Sequence, residues 1–186
     1  MSGKIVLITG GARSGKSTFA ERYVAKLSTK VAYIATAEVR DNEMAERISL
    51  HQARRPASWL TYEAPFDAEI VLAEAGKNAG AVLFDCLTLY VSNLLLASDQ
   101  EASTKVRITA IIEKIAKLVA CAKTSRATVV FVTNEVGLGI VPDNALSREY
   151  RDAAGLVNQA VAAAADEVYL VVCGLATELK KNAVVI

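Results

Sequence analysis

The sequence predicts an α/β fold, a mostly parallel sheet with helices on both faces and a possible antiparallel edge strand. Two observations predict it. Strand-like and helix-like segments alternate along the chain, as they do when parallel strands are joined by crossover helices. Between the first strand and the first helix lies Gly10-Gly11-Ala12-Arg13-Ser14-Gly15-Lys16-Ser17. That segment fits G-x-x-x-x-G-K-[ST], the phosphate-binding P-loop, and a strand, a glycine loop and a helix are the context it needs. At 186 residues the chain can bury a full core, and one nucleotide-binding domain over residues 1–186 is expected.

Each element has its own signal. Lys4–Thr9 is short and apolar, a buried strand, and the helix after the loop runs over about Lys16–Leu27. Val31–Ala35 is a second apolar strand. Asp41–Arg54 reads as a helix, with Asp41 as N-cap and Pro56 ending it. Ser58–Tyr62 reads as a strand and Asp67–Ala75 as a helix. Ala81–Asp85 is a buried strand that ends in an acid, with a helix beginning near Leu87. Ser103–Lys123 is a long helix. Thr128–Thr133 is a strand followed by a loop through Asp143, and Leu146–Ala164 is helical. Glu167–Val172 is a strand. Lys180–Ile186 is the candidate antiparallel partner, after a turn near Gly174.

Composition narrows the partners. The 21 basic and 20 acidic residues leave a net charge of +1, which gives no electrostatic case for nucleic acid or an anionic membrane. Ile5–Ile8 is too short for a signal peptide and runs straight into the P-loop. The alanine-rich Val157–Ala165 stops at Asp166 and Glu167, well short of a membrane span of about 20 residues. A cytoplasmic location and no membrane insertion are therefore expected. Cys86, Cys121 and Cys173 are widely spaced and form no C-x-x-C, so neither a disulfide framework nor a zinc site is supported.

In a sheet of this kind ligands sit beyond the carboxyl ends of the strands. The P-loop, Asp85 and Thr133-Asn134-Glu135 all fall there. The glycines let backbone N–H groups close around phosphate oxygens, and the helix N-terminus adds its positive dipole end. Lys16 can reach the β- and γ-phosphates, and the Ser17 hydroxyl can ligate Mg²⁺. Asp85 follows four apolar residues, as an acid that holds Mg²⁺ directly or through water does. The other role open to Asp85 is to cap the following helix. His51, the only histidine, shares a helix face with Met44 and Ile48. Its residues fit two roles. It can pack at the edge of a core, or it can attack phosphorus, with Arg54 and Arg55 one turn on to hold phosphate oxygens. The glycines of the segment Thr133–Pro142 would let a substrate approach closely.

Taken together, these segments resemble the bifunctional adenosylcobinamide kinase/adenosylcobinamide-phosphate guanylyltransferases of cobalamin biosynthesis. The matching stretches are Thr9–Ser17, Tyr33–Thr36, Glu43–Ile48, His51 with Arg55-Pro56-Ala57-Ser58-Trp59, Thr133–Pro142 and Ala163–Val168. The Glu-Val-Gly-x-Gly-Ile-Val-Pro loop and the His…Arg-Pro-x-x-Trp segment are the specific ones. The resemblance implies a RecA-like P-loop NTPase domain, a homotrimer, and ATP and GTP as substrates with Mg²⁺. It implies two reactions on a corrinoid: phosphorylation of the aminopropanol hydroxyl of adenosylcobinamide, then transfer of GMP from GTP through a GMP–histidine intermediate. His51 occupies the position of that histidine. The resemblance also places Thr36, Ala37, Glu38, Gln52, Ala53, Arg54, Arg55, Glu63 and Asp85 against the guanine nucleotide. Asp85 stands where some relatives carry Glu, which draws the carboxylate back by one methylene. The nearest alternative is a P-loop small-molecule kinase that leaves His51 idle. A GTP-binding switch would need an N-K-x-D loop, and Asn134-Glu135-Val136 is not one.

Overall fold

The computed structural model describes residues 3–38 and 56–184. The expected helix Asp41–Arg54 lies outside them, and so do His51, Gln52, Ala53, Arg54 and Arg55. Among the described residues the chain forms strands β1 (Ile5–Thr9), β2 (Val31–Ala35), β3 (Leu60–Glu63), β4 (Ala81–Asp85), β5 (Thr128–Val132), β6 (Glu167–Val172) and β7 (Leu175–Glu178). The helices are α1 (Lys16–Leu27), α2 (Ala68–Asn78), α3 (Leu87–Ala97), α4 (Thr104–Thr124) and α5 (Ala145–Ala164). The strands form one seven-stranded sheet in the order β3-β2-β4-β5-β1-β6-β7. Every pairing is parallel except β6 with β7.

The central strands are apolar along their middles, with polar residues only at their ends (Thr9, Asp85, Thr128), because both faces of the sheet are covered. Val6, Ile8, Tyr33, Leu83, Val130 and Val132 point to one face and meet Ala20 and Val24 of α1. Ile5, Leu7, Ile34, Phe84, Val129 and Phe131 point to the other and meet α2, α3, α4 and α5. Phe84 centres that second layer, with its ring 5.3 Å from Phe131 and 5.7 Å edge-on from Tyr90.

The antiparallel edge strand forms earlier than the sequence suggests. It is Leu175–Glu178 rather than Lys180–Ile186. The chain reverses in two residues, Cys173 (φ 53°) and Gly174 (φ 79°). Two successive positive φ values make the tight hairpin turn whose twist matches paired strands, so Leu175 pairs with Val172 at once. Strand β3 is also displaced, to Leu60–Glu63 from the expected Ser58–Tyr62.

Candidate active site

The register lines up one edge of the sheet. Ile8, Val132, Asp85, Ala35 and Glu63 stand in a single row across β1, β5, β4, β2 and β3. Everything just beyond that row shares one edge: the P-loop after β1, Thr36 after β2, Cys86 after β4 and Thr133 after β5. Of the expected site residues, the P-loop, Thr36, Ala37, Glu38, Glu63 and Asp85 come to this edge. Glu63 is the outlier, exposed at the end of edge strand β3.

The P-loop is shaped by its backbone. Arg13 (φ 57°) and Gly15 (φ 96°) take the left-handed conformation, and Gly15 is the N-cap of α1. No acid lies in the first turn of α1, so the dipole end is left for an anion. Gly10 has no room for a side chain, because a Cβ there would sit 2.4 Å from the Val171 carbonyl oxygen. The β6–β7 turn braces the loop from outside: Gly174 N–H donates to the Ser14 carbonyl at 2.8 Å, and a Cβ on Gly15 would lie 3.0 Å from Gly174 Cα. The buried Ser14 hydroxyl has no hydrogen-bond partner among the described residues.

Lys16 folds over this cradle, its ammonium donating to the Gly11 carbonyl at 3.1 Å. Burial lowers its pKa, opposed by Cys86 and by the Asp85 carboxylate. Tyr33 OH donates to Asp85 Oδ2 at 2.6 Å, so the acid is oriented from β2. The helix-capping role does not fall to Asp85, since α3 takes Cys86 as its N-cap. A hydroxyl at Ser17, a carboxylate at Asp85 and the phosphate oxygens of a bound nucleotide are a hard-oxygen donor set of the kind Mg²⁺ takes while keeping several waters.

Behind the edge lies a polar network that the sequence did not reveal. Thr36 Oγ1 donates to the Cys86 carbonyl and accepts from Cys86 N–H, both at 2.8 Å. Asn93 on α3 donates to the Thr36 carbonyl at 2.8 Å. Thr133 Oγ1 donates to Asn158 Oδ1 at 2.7 Å, and Asn158 returns a donor to the Asn134 carbonyl at 3.1 Å. Asn134 in turn donates to Thr88 Oγ1 at 3.2 Å. These bonds fix the strand ends by side chains on α3 and α5. Asn93 and Asn158 sit mid-helix with no local signal; only an amide within a mostly apolar helix, as Asn93 is in α3, hints at such a role.

A strand, P-loop and helix, with an acid two strands away on the same edge, define a P-loop enzyme that works on nucleoside phosphates. The comparisons are narrower. The family model described as cobinamide kinase / cobinamide phosphate guanyltransferase matches residues 6–179. The chain is 44% identical over 181 residues to the bifunctional adenosylcobalamin biosynthesis protein CobU of Salmonella typhimurium, covering 95% of this chain and 99% of that one. It is 43% identical over 174 residues to the corresponding protein CobP of Pseudomonas aeruginosa, covering 94% and 96%. The chain belongs to the cobinamide kinase / cobinamide phosphate guanyltransferase family. Among solved structures it is similar to the P4 protein of bacteriophage phi6 in complex with ADP (16% identity, TM-score 0.48, 94% of this chain and 54% of that one). It is also similar to the RadB recombinase (15% identity, TM-score 0.49, 91% and 74%).

Proposed function

We propose that both family reactions run on this one chain. In the first, the aminopropanol hydroxyl of adenosylcobinamide takes the γ-phosphoryl group of a nucleoside triphosphate held in the P-loop. The observation that carries this reading is the shared edge of the P-loop and Asp85, in a chain that matches the family over residues 6–179. The loop amides and Lys16 cradle the phosphates, and the fixed positive charge stabilises the transferring group. Ser17 and Asp85 would hold Mg²⁺, which would supply charge neutralisation for the transferring phosphoryl group.

In the second reaction a neutral His51 nitrogen attacks the α-phosphorus of GTP. A P–N bond forms, the bond to the bridging oxygen breaks, and pyrophosphate leaves. A phosphate oxygen of adenosylcobinamide phosphate then attacks the same phosphorus and releases His51, giving adenosylcobinamide-GDP. Arg54 and Arg55 would hold phosphate oxygens, while Thr36, Ala37, Glu38, Gln52, Ala53 and Glu63 contact the nucleotide. A homotrimer and work in the cytoplasm, where ATP and GTP are made, belong to the same proposal. Among the described residues no helix is long and apolar enough to cross a membrane.

The test is incubation with Mg²⁺ and GTP labelled with ³²P at the α position. Label should stay on the protein in an acid-labile, base-stable bond, and γ-labelled GTP should leave none. His51→Asn should lose the adduct and guanylyl transfer while phosphoryl transfer persists. Label retained by a folded His51→Asn protein would refute the nucleophile. No label on the wild type, with phosphorylation intact, would make the chain a kinase alone.

A further inference from the structure

The loop between β5 and α5 carries an apolar tip that stands exposed among the described residues. In Gly137-Leu138-Gly139-Ile140-Val141-Pro142, Leu138 is 87% exposed, Ile140 97% and Val141 64%. Single exposed apolar side chains are ordinary, but three within four residues form a cluster of the kind found at interaction sites. The loop is pinned beneath this tip. Glu135 N–H donates to the Gly10 carbonyl of the P-loop at 3.2 Å. The Glu135 carboxylate accepts from Gly137 N–H at 3.0 Å. At the far end Arg148 donates to the carbonyls of Pro142 at 3.0 Å and Asp143 at 2.7 Å. Both ends are fixed and the apolar side chains between them project outward, at the mouth of the phosphate site.

We propose that this tip is the docking surface for the corrin macrocycle, an inference that rests on the function proposed above. The reacting hydroxyl sits on a flexible arm of a large ring system, and the P-loop can hold only the phosphates. The bulk of the acceptor must therefore rest on a surface beside the P-loop, and the loop that carries this tip is hydrogen-bonded to the P-loop through Glu135. The chemistry is complementary. A corrin edge carries methyl groups, which Leu138, Ile140 and Val141 would cover. It also carries acetamide and propionamide arms, and the exposed backbone of Gly139 offers amide partners with no side chain of its own in the way. The six residues of the tip bear no charge, in keeping with a ligand recognised by its apolar body rather than its charge.

The experiment uses the full chain and the double variant Leu138→Ser with Ile140→Ser. Both side chains are solvent-exposed, so the fold should be unaffected. Adenosylcobinamide binding is measured by equilibrium dialysis, read by corrin absorbance. It is accompanied by uptake of α-label from GTP and by sedimentation velocity. Loss of two buried apolar contacts should weaken corrinoid binding about tenfold or more, with α-label uptake and sedimentation unchanged. Corrinoid affinity within about twofold of wild type would overturn the assignment and leave the proposed function standing. A variant that dissociates into smaller species would also overturn it, giving the tip to a contact between copies of the chain. Failure of the wild type to bind adenosylcobinamide would refute the proposed function and this inference together.

Discussion

Lys16 lies over the P-loop with its ammonium on the Gly11 carbonyl, and its burial sets what it can do there. Burial lowers its pKa, yet a bound triphosphate would oppose that shift by favouring the cation. Lys16→Ala is therefore expected to cut phosphorylation of adenosylcobinamide by about a thousandfold, with the melting temperature nearly unchanged. Steady-state turnover and a thermal melt check both halves. Asp85 works in a different way, since Tyr33 orients it. Asp85→Asn is expected to raise the Mg²⁺ concentration needed for half-maximal activity about tenfold or more, while Tyr33→Phe, which leaves the carboxylate in place, should raise it less. An unchanged Mg²⁺ titration for Asp85→Asn would show that the carboxylate holds no metal.

At the scale of elements, the P-loop and its helix were legible because a contiguous motif carries them, and α1 begins and ends where the sequence places it. Asp85 was legible as an acid closing an apolar run. What stayed hidden depends on contacts distant in sequence. Tyr33 meets Asp85 across 52 residues, and Asn158 meets Thr133 across 25. The early start of β7 stayed hidden because Cys173 adopts a left-handed conformation, for which cysteine gives no signal. The role proposed for His51 rests on family resemblance and on Arg54 and Arg55 beside it in the sequence, since it lies outside the described residues. The helix pair α4–α5 shows another unpredicted device. Arg107 and Glu149 form an ion pair at 2.5 Å with both side chains largely buried. One further atom of each, Arg107 Nε and Glu149 Oε1, lacks a hydrogen-bond partner among the described residues. Breaking such a pair from one side strands a buried charge. Arg107→Met is thus expected to destabilise the protein by about 3–5 kcal/mol, whereas Arg107→Met combined with Glu149→Leu should recover most of that loss. Urea unfolding of the three proteins measures it, and equal losses in the single and double variants would deny the pairing.

The whole molecule divides its labour between the two edges of the sheet. The carboxyl edge carries the P-loop and Asp85, and the amino edge is a fastening. There Glu167, the first residue of β6, accepts from Tyr23 of α1 at 2.6 Å, from Tyr169 at 3.0 Å and from Lys4 at 2.9 Å. Asp166 beside it accepts from Ile5 N–H at 2.8 Å. The rings of Phe19, Tyr23 and Tyr169 pack together over the same end, with centroids 5.2–6.0 Å apart. The hydrogen bonds from Tyr23 and Lys4 hold the Glu167 carboxyl down at about 2. A carboxyl depressed in the folded state adds stability that is complete above its unfolded value of 4.5 and is lost as pH falls toward 2. Glu167→Gln should therefore lower the melting temperature at pH 7 by about 2–4 °C, and the gap to wild type should close progressively between about pH 4.5 and pH 2. Because β6 runs from this fastening to the turn that braces the P-loop, Glu167 is a full strand away from the phosphates. The variant should keep its kinase turnover at pH 7, measured well below its melting temperature. A gap in melting temperature that stays constant down to pH 2 would show that the carboxylate's charge is not what stabilises this edge.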